Sequence, residues 1–202
     1  MKGCSDEFWY QQLLCKDSMG KRLNSEEKST IMKSSMQEAA NQLLIIEKKY
    51  GRKTPEEYLS LYGFQIQKEE PELMPSFMYM GLLVPNEKKV LLNETVIRLG
   101  ESQMKSRLSS SDPIRIHFRD IILYHELYHC IEELSPEIYT RNVQTRCRIF
   151  GPITRMRRVE AASEIGAVHF SKLAAGVSFC PYIYTQYLLA ATKQDTEVKD
   201  EF

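Results

Sequence analysis

The pentapeptide His-Glu-Leu-Tyr-His, from His125 to His129, constrains this chain more than any other segment. Residues four apart on an α-helix lie on the same face, so both imidazoles can reach one metal ion only if the segment is helical. Two imidazoles at this spacing can bind a single Zn²⁺. Glu126 then lies beside the open coordination position, where it can accept a proton from water. The spacing is typical of metal-dependent peptidases.

The flanking sequence favours a buried helix around the motif. Asp112-Pro113 offers an N-cap residue followed by proline at the first helical position, and the next proline is Pro136. The residues between them are rich in apolar side chains: Ile114, Ile116, Phe118, Ile121, Ile122, Leu123 and Leu127. The alternative interpretation, two core histidines satisfied by hydrogen bonds with Glu126 on a solvated face, is less consistent with this helical context.

A zinc site with one open position needs a third protein ligand. An extended histidine-rich motif is excluded, because Glu132 and Ser135 occupy the positions that would hold its glycine and third histidine. Downstream, Glu160 and Glu164 lie one helical turn apart with small residues between them. We expect Glu160 to bind the metal and Glu164 to hydrogen-bond the free ring nitrogen of a liganding histidine. The reverse order of the two acids, and His169 as third ligand, remain alternatives.

These motifs resemble those of small cytosolic zinc metallopeptidases of the ImmA/IrrE type, within the gluzincins, which pair His-Glu-x-x-His with a glutamate on a later helix. The resemblance covers Thr54 to Leu173 and includes a short helix from Thr54 to Gly63, with Thr54 and Glu57 as a capping box. Three strands and a turn follow, at Phe64–Gln67, Ser76–Val84 and Lys89–Leu92, with the turn at Pro85–Lys88. Tyr128 stands where the family commonly has glycine, and its ring would either narrow the cleft or hydrogen-bond within it.

The resemblance implies a cytosolic regulatory endopeptidase that hydrolyses peptide bonds with zinc, using Glu126 as the base. Its substrate would be a protein or peptide, with transcriptional repressors as one class, lying antiparallel to an edge strand. The resemblance gives no position for the group that stabilises the oxyanion, and the candidates are Tyr128, His169, Tyr182 and Tyr184. The alternative function is a zinc-bound, non-catalytic regulatory protein that acts on a protein partner.

Composition limits the choice of partner and compartment. Lys and Arg together number 27, as do Asp and Glu, so the whole chain offers no electrostatic argument for nucleic acid or an anionic membrane, and neither is expected as a partner. The five cysteines form no Cys-x-x-Cys and suggest reduced thiols in the cytosol. The amino terminus has no segment typical of a secretory signal, so we expect a cytoplasmic protein. The oligomeric state is not predicted.

We expect an α+β fold in which helices predominate, with a small antiparallel sheet and a zincin-like active-site helix. Residues 1–53 form a helical extension on the core, with Asn24 and Glu27 as a capping box and Gly51 as the stop. Residues 54–195 form the metallopeptidase core, and residues 196–202 a frayed tail of one compact domain. Two further helices are predicted, at Arg155–Ala175 and Pro181–Ala191.

Arginines cluster between the two helices that carry the proposed ligands, with no acid from Arg141 to Arg158. The favoured interpretation is a solvated loop in which one or two arginines pair with nearby acids such as Glu132, Glu133 or Glu137. The alternative places the cluster at the rim of the cleft, where guanidinium groups would hold an acidic substrate segment or a terminal carboxylate. The cluster consists of Arg141, Arg146, Arg148, Arg155, Arg157 and Arg158.

Overall fold

The computed structural model describes residues 4–72, 79–107, 118–150, 153–186 and 188–189. Its α-helices are α1 (Asp6–Lys16), α2 (Ser25–Tyr50), α3 (Pro55–Leu61), α4 (Glu94–Arg107), α5 (Phe118–Leu134), α6 (Tyr139–Asn142) and α7 (Glu160–Ala175). Its strands are β1 (Gln65–Glu69), β2 (Gly81–Val84), β3 (Lys89–Asn93), β4 (Gln144–Phe150) and β5 (Ile153–Arg158). Residues 183–186 and 188–189 are also helical. The expected α+β class with helices predominating is confirmed.

Two helices start at the capping boxes that the sequence predicts. The Asn24 side chain accepts a hydrogen bond from the backbone of Glu27, whose carboxylate accepts one from the backbone of Asn24. Thr54 and Glu57 form the same reciprocal pair at the start of α3. These bonds satisfy backbone N–H groups that have no partner inside the helix. At the other end of α2, Gly51 adopts the positive φ of 73° that terminates the helix.

The three-stranded sheet is mixed, whereas the sequence predicts an antiparallel one. Its order is β1-β3-β2, with β1 parallel and β2 antiparallel to β3. Only β2 and β3 are joined by a tight turn, in which Lys88 is left-handed at φ 50°. The longer connection from β1 to β2 lets the chain cross to the far side of β3, so that β1 and β3 run in the same direction.

Several helix and strand boundaries in the structure differ from the predicted ones. The strand predicted from Ser76 begins at Gly81, and the predicted N-cap at Asp112 lies outside the described residues, as does the tail at 196–202. The helix predicted from Arg155 begins at Glu160. The preceding residues instead form an antiparallel hairpin of β4 and β5 where a loop is expected. Of the helix predicted at 181–191, residues 183–186 and 188–189 are helical in the described part of the chain.

Helix α5 lies at the centre of the larger buried cluster, with α7 against it. Leu123, Leu127 and Tyr128 are completely buried there beside Phe170 of α7. The N-terminal helices pack on the opposite side of α7, in a second cluster of Trp9, Tyr10, Leu14, Leu23, Ile31, Met32, Val159, Ala161, Ala162, Ile165, Val168, Cys180 and Tyr182. Burial of apolar surface on two sides therefore holds α7 against the helix that carries the motif.

Candidate metal centre

Three potential ligand side chains meet between α5 and α7. His125 and His129 lie on one face of α5, and their Nε2 atoms are 3.2 Å apart. Glu164 approaches from α7, with one carboxylate oxygen 3.6 Å from Nε2 of His125 and the other 3.7 Å from Nε2 of His129. One donor atom from each residue lies within 4.8 Å of the others.

The order of the two acids on α7 is the reverse of the sequence-based expectation. Glu160 does not reach the histidines: its carboxylate lies 3.2 Å from Nε of Arg158, and its side chain is 66% exposed. The reason is where α7 begins. Glu160 is the first residue of the helix, next to the end of β5, whereas Glu164 lies one turn further along, where α7 passes the motif on α5.

The arrangement fits a tetrahedral zinc ion. Donors about 2.0–2.1 Å from one tetrahedral centre are about 3.3 Å from each other, and the two imidazole nitrogens are 3.2 Å apart. Each carboxylate oxygen of Glu164 lies 3.6 or 3.7 Å from one of these nitrogens, and a single oxygen lies within 4.8 Å of both. Two imidazole nitrogens and one carboxylate oxygen are also a donor set that zinc accepts in catalytic sites, with a fourth position left open. His125, His129 and Glu164 would therefore hold the ion.

Behind the histidines lies a hydrogen-bonded network that the sequence analysis missed. Nδ1 of His129 is 2.9 Å from a carboxylate oxygen of Glu132. Both oxygens of this carboxylate also accept hydroxyl hydrogen bonds, one from Ser163 and the other from Thr140. The hydroxyls of Thr140 and Tyr128 are hydrogen-bonded at 2.9 Å. Such a partner fixes the ring orientation of a liganding histidine. The hydrogen bond to a histidine ring nitrogen that the sequence analysis expects of Glu164 is therefore made by Glu132. The position of Glu132, three residues after His129 on the same helix face, was the available signal.

Burial and these contacts determine the ionisation of the site. Burial, and then the charge of His129, lowers the pKa of His125 to about 4. Burial lowers the pKa of His129, but the hydrogen bond to Glu132 and the nearby carboxylates of Glu164 and Glu126 outweigh it and raise that pKa to about 9. Burial raises the pKa of Glu132, yet its hydrogen bonds, led by that from His129, leave it below the usual value. The network therefore stabilises an ionised Glu132.

Glu126 lies between α5 and strand β2. Its side chain is 7% exposed, and burial raises its pKa to about 7. A Cβ atom on Gly81 would lie 2.7 Å from Cγ and Oε1 of Glu126, so this glycine lets the strand pass directly over the carboxylate. The backbone of Leu83 hydrogen-bonds the carboxylate and opposes the effect of burial. The carboxylate is thus held at the junction of strand and helix.

A cleft of about 510 Å³ opens over these groups. Glu126 and the three proposed ligands line it, together with β2 residues on one side and Phe118, Ile121, Ile122, Val168, Tyr182 and Tyr184 among the others. Tyr128 is not part of it: the ring is fully buried under α7, against Gly166. His169 is also directed elsewhere, 3.0 Å from the hydroxyl of Tyr10. Of the four candidates for the oxyanion, Tyr182 and Tyr184 therefore border the cleft.

No protein-family model, curated protein or solved structure matches the chain. None of the helices in the described part of the chain combines the length and apolar character needed to cross a lipid bilayer.

Proposed function

We propose that this protein is a zinc-dependent peptidase of the gluzincin class, similar to the ImmA/IrrE type, which hydrolyses peptide bonds within a protein substrate. One observation carries the proposal: Glu126 and the three proposed ligands, His125, His129 and Glu164, line a single cleft beside strand β2. A nearly buried carboxylate next to a metal-binding set is the arrangement that water-activating chemistry needs.

The residues divide the chemistry among them. Zinc, when bound by His125, His129 and Glu164, lowers the pKa of a water molecule toward about 7 and polarises the substrate carbonyl. Glu126 then accepts the proton of the attacking water on a carboxylate oxygen and transfers it to the nitrogen of the leaving amine. Glu132 keeps the imidazole of His129 in one orientation through Nδ1.

An extended substrate segment fits along strand β2. This strand pairs with β3 on one side only in the three-stranded sheet, and Gly81, Leu82 and Leu83 line the cleft. Among the described residues no second strand pairs with the outer edge of β2, and a peptide that adds there would form backbone hydrogen bonds, which place few demands on its side chains. A protein with an unfolded or exposed segment is thus the substrate class, and transcriptional repressors are the example that the family resemblance suggests.

Tyr182 is our choice for the donor to the oxyanion. Its hydroxyl accepts a hydrogen bond from Nζ of Lys16 at 2.9 Å, which leaves its own O–H available to donate. The tyrosine also borders the cleft that contains Glu126. A preorganised donor of this kind stabilises negative charge that develops on the carbonyl oxygen.

Replacement of Glu126 by Gln tests the proposal. We expect the wild-type protein, purified with zinc, to cleave fluorescently labelled casein, and Glu126→Gln to lower the rate by roughly 10²–10⁴-fold because the base is removed. Elemental analysis should find zinc in both proteins, since Glu126 is not one of the proposed ligands. Glu133→Gln, on the exposed side of the same helix, is the matched control and should retain full activity. Unchanged turnover by Glu126→Gln would contradict the mechanism.

A Tyr128 ring that blocked the cleft would favour the non-catalytic alternative. Because Tyr128 is completely buried outside the cleft, its ring gives this alternative no support. If casein and other unfolded proteins remain intact while the protein holds zinc stoichiometrically, this alternative becomes the better description.

A further inference from the structure

The β4–β5 hairpin separates charge within a neutral chain. It contains five arginines and no acid, which leaves 22 basic and 27 acidic residues in the rest of the protein. The hairpin is therefore a basic projection from an acidic body. The arginines are Arg146, Arg148, Arg155, Arg157 and Arg158.

These arginines occupy both faces of the hairpin. Residues directly opposite each other in an antiparallel pair share a face, and Arg146 pairs with Met156 while Arg155 pairs with Cys147. Because side chains alternate along a strand, Arg146, Arg148 and Arg158, which pairs with Gln144, lie on one face, and Arg155 and Arg157 lie on the other. Arg146 and Arg148 are two residues apart on one strand, as are Arg155 and Arg157 on the other, which is about 6.7 Å along the strand.

Ion pairs between described residues leave three of the hairpin arginines without an acidic partner. Among the ion pairs of the described residues, Arg158 pairs with Glu160, and none involves Arg146, Arg155 or Arg157. None of the hairpin arginines lines the cleft over the candidate metal centre.

The outer end of the hairpin is apolar and exposed. Phe150 is 80% exposed and Ile153, its partner across the ladder, is 59% exposed. Two strands alone bury too little surface to hold large apolar side chains, so their exposure at the end of a charged hairpin indicates a surface that a partner covers.

We propose that the hairpin is an arm that inserts into a groove of duplex DNA. A flat acidic protein surface would engage the arginines of one face only, whereas a groove has phosphates along both walls. The major groove of B-form DNA, about 12 Å wide, admits a two-stranded ribbon, and the major groove of A-form RNA is too narrow for side chains to read. In the major groove, an exposed apolar side chain such as Phe150 can contact the methyl group of thymine.

This inference replaces the expectation that nucleic acid is not a partner. The net charge of the whole chain hides the separation of charge between hairpin and body, although Phe150 is the one aromatic residue within the arginine cluster. The inference does not depend on the proposed peptidase activity, because the hairpin contributes no residue to the cleft. Glu126→Gln should therefore bind DNA as tightly as the wild type.

Fluorescence anisotropy with a labelled duplex of about 24 base pairs tests the proposal with the full chain. With roughly four phosphate contacts, log K should fall against log salt concentration with a slope of about −3.6, a loss on the order of a hundredfold between 50 and 200 mM salt. Arg146→Gln/Arg148→Gln and Arg155→Gln/Arg157→Gln, one pair per face, should each weaken binding roughly tenfold or more and reduce the slope by about 2.

The matched control is Lys48→Gln/Lys49→Gln, which removes two exposed charges at the C-terminal end of α2. The hairpin base lies at the other end of this helix, where Gln144 and Thr145 share a pocket with Glu26 and Glu27. At 1.5 Å per residue the two ends of a 26-residue helix are about 39 Å apart, so this control should change affinity less than threefold. Replacing Arg146 and Arg148, or Arg155 and Arg157, by Lys keeps the positive charge and should retain most of the DNA affinity. This result would show that the Arg→Gln pairs act through loss of charge and not through loss of folding.

Three outcomes would overturn the proposal. In the first, either pair of Arg→Gln substitutions leaves the DNA affinity unchanged. In the second, the protein binds duplex RNA as tightly as duplex DNA. In the third, polyglutamate competes as effectively as unlabelled DNA at equal charge. The last result would identify the hairpin as a docking site for an acidic protein segment.

Discussion

The two sides of helix α5 both carry buried polar residues, but their surroundings differ. On the side away from the cleft, Glu132 is 4% exposed and both of its carboxylate oxygens accept hydrogen bonds, while the Tyr128 hydroxyl is paired with Thr140. On the cleft side, His125 and His129 face each other and a carboxylate across a space with room for an ion. The same helix thus provides a closed network and an open site.

The comparison shows that burial alone does not make a polar residue reactive. A buried group whose hydrogen bonds are all satisfied by protein fixes a conformation, whereas groups that converge on open space are available to a ligand. Substitutions on the cleft side should therefore change metal binding or turnover with little effect on folding. Substitutions in the network should affect stability, and metal binding only through His129.

The largest effect expected is on metal content, and it distinguishes the two acids of α7. Glu164→Gln removes a proposed ligand and should reduce zinc affinity by more than the roughly 10–100-fold that loss of an outer partner costs. Glu160→Gln should leave zinc affinity unchanged, because the Glu160 carboxylate is exposed and pairs with Arg158. Elemental analysis and competition with a chelator measure both. If zinc is lost mainly from Glu160→Gln, Glu160 is the metal ligand, as the sequence analysis expects.

A smaller effect on zinc affinity is expected from a substitution in the hydrogen-bonded network behind the histidines. Glu132→Gln weakens the acceptor for Nδ1 of His129 and should lower zinc affinity by roughly 10–100-fold. The adjacent Glu133 pairs with Arg141 at the surface, so Glu133→Gln is the control and should behave as wild type. Equal affinities for the two variants would show that the network does not orient the ligand.

Packing between the helices should respond to a single methyl group. A Cβ atom on Gly166 would lie 2.7 Å from both Cε1 and Oη of Tyr128, a ring that is completely buried. We expect Gly166→Ala to destabilise the protein by about 1–3 kcal/mol, a fall in Tm of roughly 2–4 °C per kcal/mol. In a Tyr128→Leu background, Gly166→Ala should lower the free energy of unfolding by much less. If Gly166→Ala destabilises the protein equally in both backgrounds, contact with Tyr128 is not the cause of the destabilisation.

The smallest effect belongs to the Tyr128 hydroxyl. Tyr128→Phe removes its hydrogen bond with Thr140, while Thr140 keeps its bond to Glu132, so we expect a loss of about 0.5–1.5 kcal/mol in thermal unfolding. Zinc affinity and peptidase rate should stay within twofold of the wild type. A larger fall in rate than in stability would mean that this ring contacts substrate after all.

Local sequence signals were enough for the starts of α2 and α3 and for the two histidines, but not for the start of α7, the direction of β1 or the hairpin. Capping at Asn24 and Thr54 depends on residues three positions apart, so their boundaries could be predicted. The direction of β1 depends on how a long connection crosses the sheet, which no local pattern reports. The strands from Gln144 to Arg158 read as a charged loop, because arginine alternating with few apolar residues carries a weak strand signal.

The sequence by itself determined that His125 and His129 share a helix face, that Glu126 lies beside them, and that an acid one or two turns into a later helix could join them. Tertiary structure decided which acid does so. Residues four apart on a helix differ by only about 40° in direction, so Glu160 and Glu164 are nearly equivalent locally. The fit of Gly166 against Tyr128 and the start of α7 after β5 set the position of α7 along α5. Packing therefore brought Glu164 to the histidines and left Glu160 at the surface.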